Sequence, residues 1–424
     1  MLDTVMLGVL GDIPLTASSL GTQIFNVYSL FIFGLAGGSA VLTAQYWGKG
    51  ELEPIKMVMA IVIRLVTYVG IILSTVVLLF PRQIMGIFSS DLSVLNAGEE
   101  YLRYIGCMYF FFGVSNSITM LLRSVEKVKI AVIANASGLV SNALLNYMLI
   151  FGNFGAPRLE VKGAAIATVC AKIIEFIIVL TYLFRIEKRL HFRIRDLLLK
   201  NRLLSQDMRK YCSPVVINEV AWSMGIAMQS VLFGHVSTLA VSANAIISVI
   251  QQMATIIIFG VANATAVIIG KTIGENKLEL AAQRGHTMKW FAIIMGVCCA
   301  LLILSCRNIM VDFYNVSEET KILAKQMLTI TAFVVFFISN SGVSIVGILR
   351  GSGDTRFSMF VEIVTLWGVA VPLGFLSGMV FDLPIVVIYA VFKSDELLKT
   401  FICWWRIRGS HWIRSVTREE VEIS

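Results

Sequence analysis

The side chains able to do chemistry in this chain are acids and carboxamides set inside apolar stretches. Asp3, Glu219 and Glu362 all lie within such stretches. An ionised acid at a bilayer centre costs roughly 2.5–3.5 kcal/mol on insertion scales, so each one needs a reason. Asn142 and Asn146 stand four residues apart on one helix face, and Ala164 and Thr168 repeat that spacing on the next apolar segment. Glu219 sits about ten residues past Lys210, which is ~15 Å along a helix. Pro214, just before it, loosens that helix. Farther on, Lys393 with Glu396 and Asp395 with Lys399 are spaced to pair along one helix, as Lys172 is with Glu175. A carboxyl group in low dielectric can take up and release a proton or a cation. The competing reading is structural: the asparagines hydrogen-bond helices together, and each acid is neutralised by a partner. Other chemistries are excluded. His191, His235, His286 and His411 have no metal-ligand spacing. The seven cysteines form no CxxC and read as free thiols. Gly270-Lys-Thr272 looks like the end of a phosphate loop, but Thr265 stands where that loop needs glycine. Neither catalysis nor ATP-driven work is expected, and no cofactor.

The elements that must position these groups follow from composition. Hydrophobic residues make up 57% of the chain and charged residues 15%, with a mean hydropathy of +0.82. Soluble domains average ~45–50% apolar and ~25% charged. Apolar runs of about 20 residues recur, each long enough to cross a ~30 Å hydrocarbon core as a helix. Backbone groups in lipid must pair internally, which favours helices, and no run alternates as a barrel strand would. The expected fold is an all-α polytopic membrane protein of twelve spans: 1–10, 15–46, 57–80, 101–122, 130–151, 164–184, 212–234, 240–269, 290–306, 327–349, 357–380 and 384–405. The stretch 185–210 interrupts them with nine Lys or Arg against three acids. It divides the chain into a six-helix bundle at 1–184 and a second at 211–405, followed by a polar tail at 406–424. Lys and Arg crowd into the loops after even-numbered spans, which places the linker and the tail in the cytoplasm. The net charge of +8 therefore belongs to loops, and no nucleic-acid partner is expected.

The two halves also repeat one another. An offset of 227 lays Leu122-Arg123-Ser124 on Leu349-Arg350-Gly351, and Pro157 on Pro384. An offset of 226 lays Gly8 on Gly234, Ala40-Val41 on Ala266-Val267, Gly48 on Gly274 and Leu52 on Leu278. Six spans separate equivalent points, so the expected repeats are parallel, about an axis along the membrane normal. By the same offset the first span lacks its opening residues, and Met1 is expected not to be the true start.

Asp3-Thr-Val-Met-Leu-Gly8, Asn142-Ala-Leu-Leu-Asn146, Ile150-Phe-Gly-Asn-Phe-Gly-Ala-Pro157, Gly163-Ala-Ala-Ile-Ala-Thr168 and Gly347-Ile-Leu-Arg-Gly-Ser-Gly-Asp-Thr355, in this order and spacing, resemble the multidrug and toxic compound extrusion (MATE) family. The resemblance implies two six-helix bundles around a central cavity. It also implies export of amphiphilic, cationic organic compounds in exchange for H⁺ or Na⁺. It assigns Asp3, Asn142, Asn146 and Thr168 to an ion- or proton-coupling site in the first bundle, although many relatives carry an acid where this chain has Asn146. Glu219 falls where members have a cavity acid, and Glu362 joins it as a candidate for cation binding. The acid that sodium-coupled members carry on the tenth span falls at Ser339 or Asn340, so that acid is absent; Asn340 stands with Glu219 and Glu362 as a candidate for binding the cationic substrate. The expected setting is the cytoplasmic membrane, with membrane lipids as surroundings and a monomeric state. A potential of 100 mV is worth ~2.3 kcal/mol per charge, enough for a gradient of roughly 50-fold. The alternative is a flippase for lipid-linked saccharides of the same superfamily. It needs basic residues in the cavity, and Arg64 and Lys172 are the evident candidates. A receptor or channel fits the repeated spans poorly.

Overall fold

A computed structural model describes residues 6–7, 12–89, 91–314, 316–409 and 411–418. Helices dominate: α1 (Asp12–Lys49), α2 (Leu52–Leu79), α3 (Pro81–Phe88), α4 (Leu92–Ile105), α5 (Met108–Ser124), α6 (Val128–Phe151), α7 (Glu160–Thr181), α8 (Arg202–Val236), α9 (Thr238–Gly274), α10 (Leu278–Asp312), α11 (Glu318–Gly342), α12 (Thr355–Thr365), α13 (Val371–Phe375), α14 (Ile385–Phe392) and α15 (Ser394–Arg408). Among the described residues, nine helical segments are long and apolar enough to span a membrane. The count becomes ten if α4 and α5, bent by 51° at their junction, form one span. The protein is a polytopic α-helical membrane protein. Boundaries follow local chemistry. Asp91 and Ser237 cap α4 and α9 by accepting backbone N–H bonds from Ser93 and Leu239. Gly152 ends α6 in the left-handed conformation at φ 75°, which glycine adopts without steric cost. Pro214 lies inside α8, where it has no N–H to donate back. A π-widened segment, Val343–Leu349, carries helical backbone from α11 as far as Gly351.

The chain forms two compact units. One comprises Met1–Ala40, Leu52–Gln206 and Val421–Ser424, and the other Val41–Glu51 and Asp207–Glu420. In the first, α6 and α7 lie closely together. A methyl group at Gly163 would sit 2.5 Å from the Leu149 carbonyl oxygen, and one at Gly138 would collide with Glu175. In the second, Phe233 stacks on Tyr389 with ring centroids 6.2 Å apart. The Tyr389 hydroxyl lies 2.9 Å from Thr331 Oγ1. Gly48 and Gly274 pack reciprocally in this unit: a Cβ on Gly48 would meet the backbone of Lys271, and one on Gly274 the backbone of Gln45. The offset of 226 that pairs the two glycines also pairs Gln45 with Lys271.

Tail residues up to Arg418 are built into the second unit. Trp412 is 1% exposed and donates to the Ile407 carbonyl at 3.2 Å. Gln45 holds it from both sides of its carboxamide, donating to Arg414 O at 3.1 Å and accepting from Val416 N at 2.8 Å. Arg418 makes a two-pronged pair with Asp207 at 2.6 and 2.9 Å. Asp354 takes Arg406 and Arg414 at 2.8 and 3.3 Å.

Candidate functional site

Asp3 lies outside the described residues. The other three groups assigned to the first bundle form one hydrogen-bonded line between α6 and α7. Asn142 Nδ2 donates to Thr168 Oγ1 at 3.2 Å. Asn146 Nδ2 donates to Asn142 Oδ1 at 3.1 Å, and Asn146 is fully buried. The i,i+4 spacing on α6 stacks the two asparagines, and the close approach at Gly163 brings Thr168 within reach. One turn farther along α7, Lys172 donates to both Glu175 oxygens at 2.8 and 3.0 Å. Its ammonium lies 5.6 Å from the Phe112 ring centroid. Among the described residues this region holds carboxamides, a hydroxyl and one balanced ion pair.

The second unit holds a cavity of about 110 Å³ lined by Asn218, Glu219, Trp222, Gln229, Gln251, Phe259, Ser341, Arg350, Glu362, Lys393, Asp395, Glu396 and Lys399, with apolar neighbours. Four acids and three bases meet here. Lys399, with 2% of its side chain exposed, reaches Glu362 at 2.6 Å, Asp395 at 2.7 Å and Glu396 at 3.1 Å. Glu396 also accepts from Ser341 Oγ at 2.5 Å. One ammonium thus serves three carboxylates. Glu219 pairs with Arg350 at 2.7 Å, the two side chains 20% and 10% exposed. Trp222 and Phe259 meet edge to face at 6.5 Å and give the polar lining an aromatic wall. Such a pocket can take a cation with an apolar body: ring faces favour it, and the carboxylates outnumber their own counter-ions.

Glu219 and Glu362 both line this cavity. Asn340 does not reach it; it is fully buried and donates to Phe336 O at 2.7 Å. Its neighbour Ser341 supplies the polar group from α11 instead. Arg350, expected in a loop, is 8% exposed and faces Glu219, because the π-widened turn keeps the chain helical beyond Leu349. Lys393, spaced to pair with Glu396, lies 5.7 Å from the Tyr389 ring centroid, while Lys399 takes Glu396. Arg64 points elsewhere: it donates to Leu199 O at 2.7 Å and pins the linker. Arg350 and the three-way role of Lys399 escape sequence reasoning. The one signal was an excess of acids on the last two apolar segments, which required a shared counter-ion.

A profile of the family described as MatE matches residues 1–148 and 214–376. The chain is 21% identical over 417 residues to an uncharacterized transporter, YisQ, of Bacillus subtilis, covering 97% of this chain and 90% of that protein. It is 23% identical to the probable multidrug resistance protein NorM of Thermotoga maritima, covering 100% and 91%. Among solved structures, a MATE protein in complex with MaL6 superposes with a TM-score of 0.88 at 17% identity, covering 97% and 92%. A MOP superfamily transporter from Pyrococcus furiosus, whose report describes a binding pocket of reverse polarity, superposes with a TM-score of 0.86 at 17% identity, covering 97% and 91%.

Proposed function

Since this chain belongs to the MatE family of membrane transporters, we propose that it is a secondary antiporter expelling amphiphilic organic cations in exchange for H⁺ or Na⁺. The observation that carries the reading is the acid-rich, aromatic-walled cavity of the second unit. Glu219 and Glu362 are the cation-binding carboxylates, and release of Glu219 from Arg350 frees a charge for substrate. Asn142, Asn146 and Thr168, with Asp3, form the ion-coupling set: the first three offer neutral oxygen ligands, and Asp3 supplies the acid that a proton or small cation neutralises. Twelve spans in two parallel repeats, a linker and tail on the cytoplasmic side, residence in the cell membrane and a monomeric state complete the proposal. The flippase alternative fits less well. Among the described residues lining the cavity, Arg350 and Lys399 are held by acids, which leaves Lys393 to meet a pyrophosphate.

Purified protein in vesicles, loaded with a fluorescent organic cation and driven in turn by a proton and by a sodium gradient, tests this. Efflux under one gradient that collapses in Glu219→Gln supports the reading. Absence of efflux under both gradients overturns it.

A further inference from the structure

The linker between the span ending at Ile186 and the helix beginning at Arg202 is firmly placed. Leu190 and Phe192 are buried at 0% and 2% exposure, and Phe192 packs at 6.0 Å against Phe184. Arg64 holds the Leu199 carbonyl, and Asn201 Oδ1 accepts from Leu204 N at 2.9 Å. On this pinned segment Ile194 and Leu198, one short helical turn apart, are 71% and 76% exposed. Exposed apolar side chains are ordinary on the spans, where acyl chains cover them, but these two lie beyond the spans. Around them Arg185, Lys188, Arg195, Lys200 and Arg202 are exposed, and among the described residues none of the five is in an ion pair. The local acids are already used. Glu187 takes Lys127 at 3.2 Å and the Arg189 N–H at 2.9 Å, and Asp196 takes the Arg193 N–H at 2.7 Å.

Two outward apolar side chains ringed by uncompensated cations, at the end of a span, match the boundary between acyl chains and anionic headgroups. We propose that 185–202 is an interfacial anchor that binds anionic phospholipid headgroups through its Lys and Arg residues while Ile194 and Leu198 enter the upper acyl layer. A soluble acidic protein would satisfy the charges but would not call for two isolated apolar residues at the membrane surface. The proposal is independent of what the protein transports; only the leaflet assigned to the linker rests on the charge bias of the loops.

Native mass spectrometry of the purified full-length chain, titrated with phosphatidylglycerol or phosphatidylcholine, tests it. Each basic residue near an anionic surface is worth roughly a fivefold change in binding. The triple variant Arg195→Gln/Lys200→Gln/Arg202→Gln should therefore hold phosphatidylglycerol on the order of 100-fold more weakly, and raised salt should weaken the parent in the same direction. Ile194→Ser/Leu198→Ser should lose affinity for intact lipid while still binding soluble glycerophosphate as the parent does. A spin label at position 198, in protein lacking Cys107 and Cys298, should be reached by oxygen more readily than by a water-soluble nickel complex in phosphatidylglycerol bilayers. Equal retention of both lipids by parent and triple variant overturns the proposal. So does complete competition by millimolar inorganic phosphate, or a label open only to the nickel complex.

Discussion

The polar line in the first unit and the cavity in the second use polar groups in opposite ways. Asn142, Asn146 and Thr168 join neutral donors and acceptors, and beside them Lys172 balances Glu175 one to one. An interhelical hydrogen bond such as Asn142–Thr168 averages ~0.6 kcal/mol in membranes, and it holds helices without demanding an ion. In the second unit one ammonium answers three carboxylates and an arginine answers a fourth. Breaking a buried charge pair costs roughly 3–5 kcal/mol because an uncompensated charge remains. Among the described residues, charge excess therefore singles out the second-unit cavity as the costlier place to disturb.

The sharpest way to break this contrast is at its hub. Lys399→Met leaves three acids without their shared cation and should lower stability by roughly 3–5 kcal/mol, read as a fall in melting temperature in detergent. Adding Glu362→Gln should recover part of the loss. A single variant that melts like the parent would show that the acids carry no net charge around Lys399. Glu219→Gln comes next. The amide oxygen still accepts from Arg350, so stability should change by no more than about 1–3 kcal/mol, while efflux falls tenfold or more; normal efflux in a folded variant rules out Glu219 as a cation ligand. In the first unit, Asn142→Leu should cost about 1 kcal/mol and raise severalfold the ion concentration needed for half-maximal efflux, leaving the maximal rate near that of the parent. If stability drops and the ion dependence does not move, the line only fastens helices.

The smallest effect concerns Glu187, outside the spans. Burial opposes its ionisation, but the Arg189 N–H, Lys127 and the Tyr182 hydroxyl together hold its carboxyl below the usual glutamate range. A lowered folded pKa means stability present at neutral pH, above the unfolded value, and lost as pH falls through the folded value. Glu187→Gln should therefore lower the melting temperature slightly at pH 7, by the equivalent of roughly 1 kcal/mol. The gap between parent and variant should close as acidification protonates the folded-state carboxyl; a gap that persists once Glu187 is protonated would assign the effect to packing.

Much of the fold was legible because lipid simplifies the code. Runs of about 20 apolar residues have few alternatives to helix once backbone groups must pair among themselves. The bend of 51° between α4 and α5 was not legible, since that part of the chain reads as one apolar run. Nor was the placing of Arg350, because a widened helical turn has no composition of its own. The tail read as a polar end, yet Trp412 is buried and Gln45, Asp207 and Asp354 hold it, three residues spread across the chain.

The sequence by itself determined what a helix dictates to its own side chains. The pairs Lys172–Glu175 and Asp395–Lys399 and the stacked Asn142 and Asn146 follow from residues three and four apart sharing a face. Only the tertiary structure decided that Glu219 meets Arg350, 131 residues away, that Lys399 also takes Glu362, 37 residues away, and that Ser341 rather than Asn340 reaches Glu396. Those meetings depend on the rotation and stagger of whole helices, which glycine contacts such as Gly48 on Lys271 and the packing of many side chains set together. No periodicity within one segment records them.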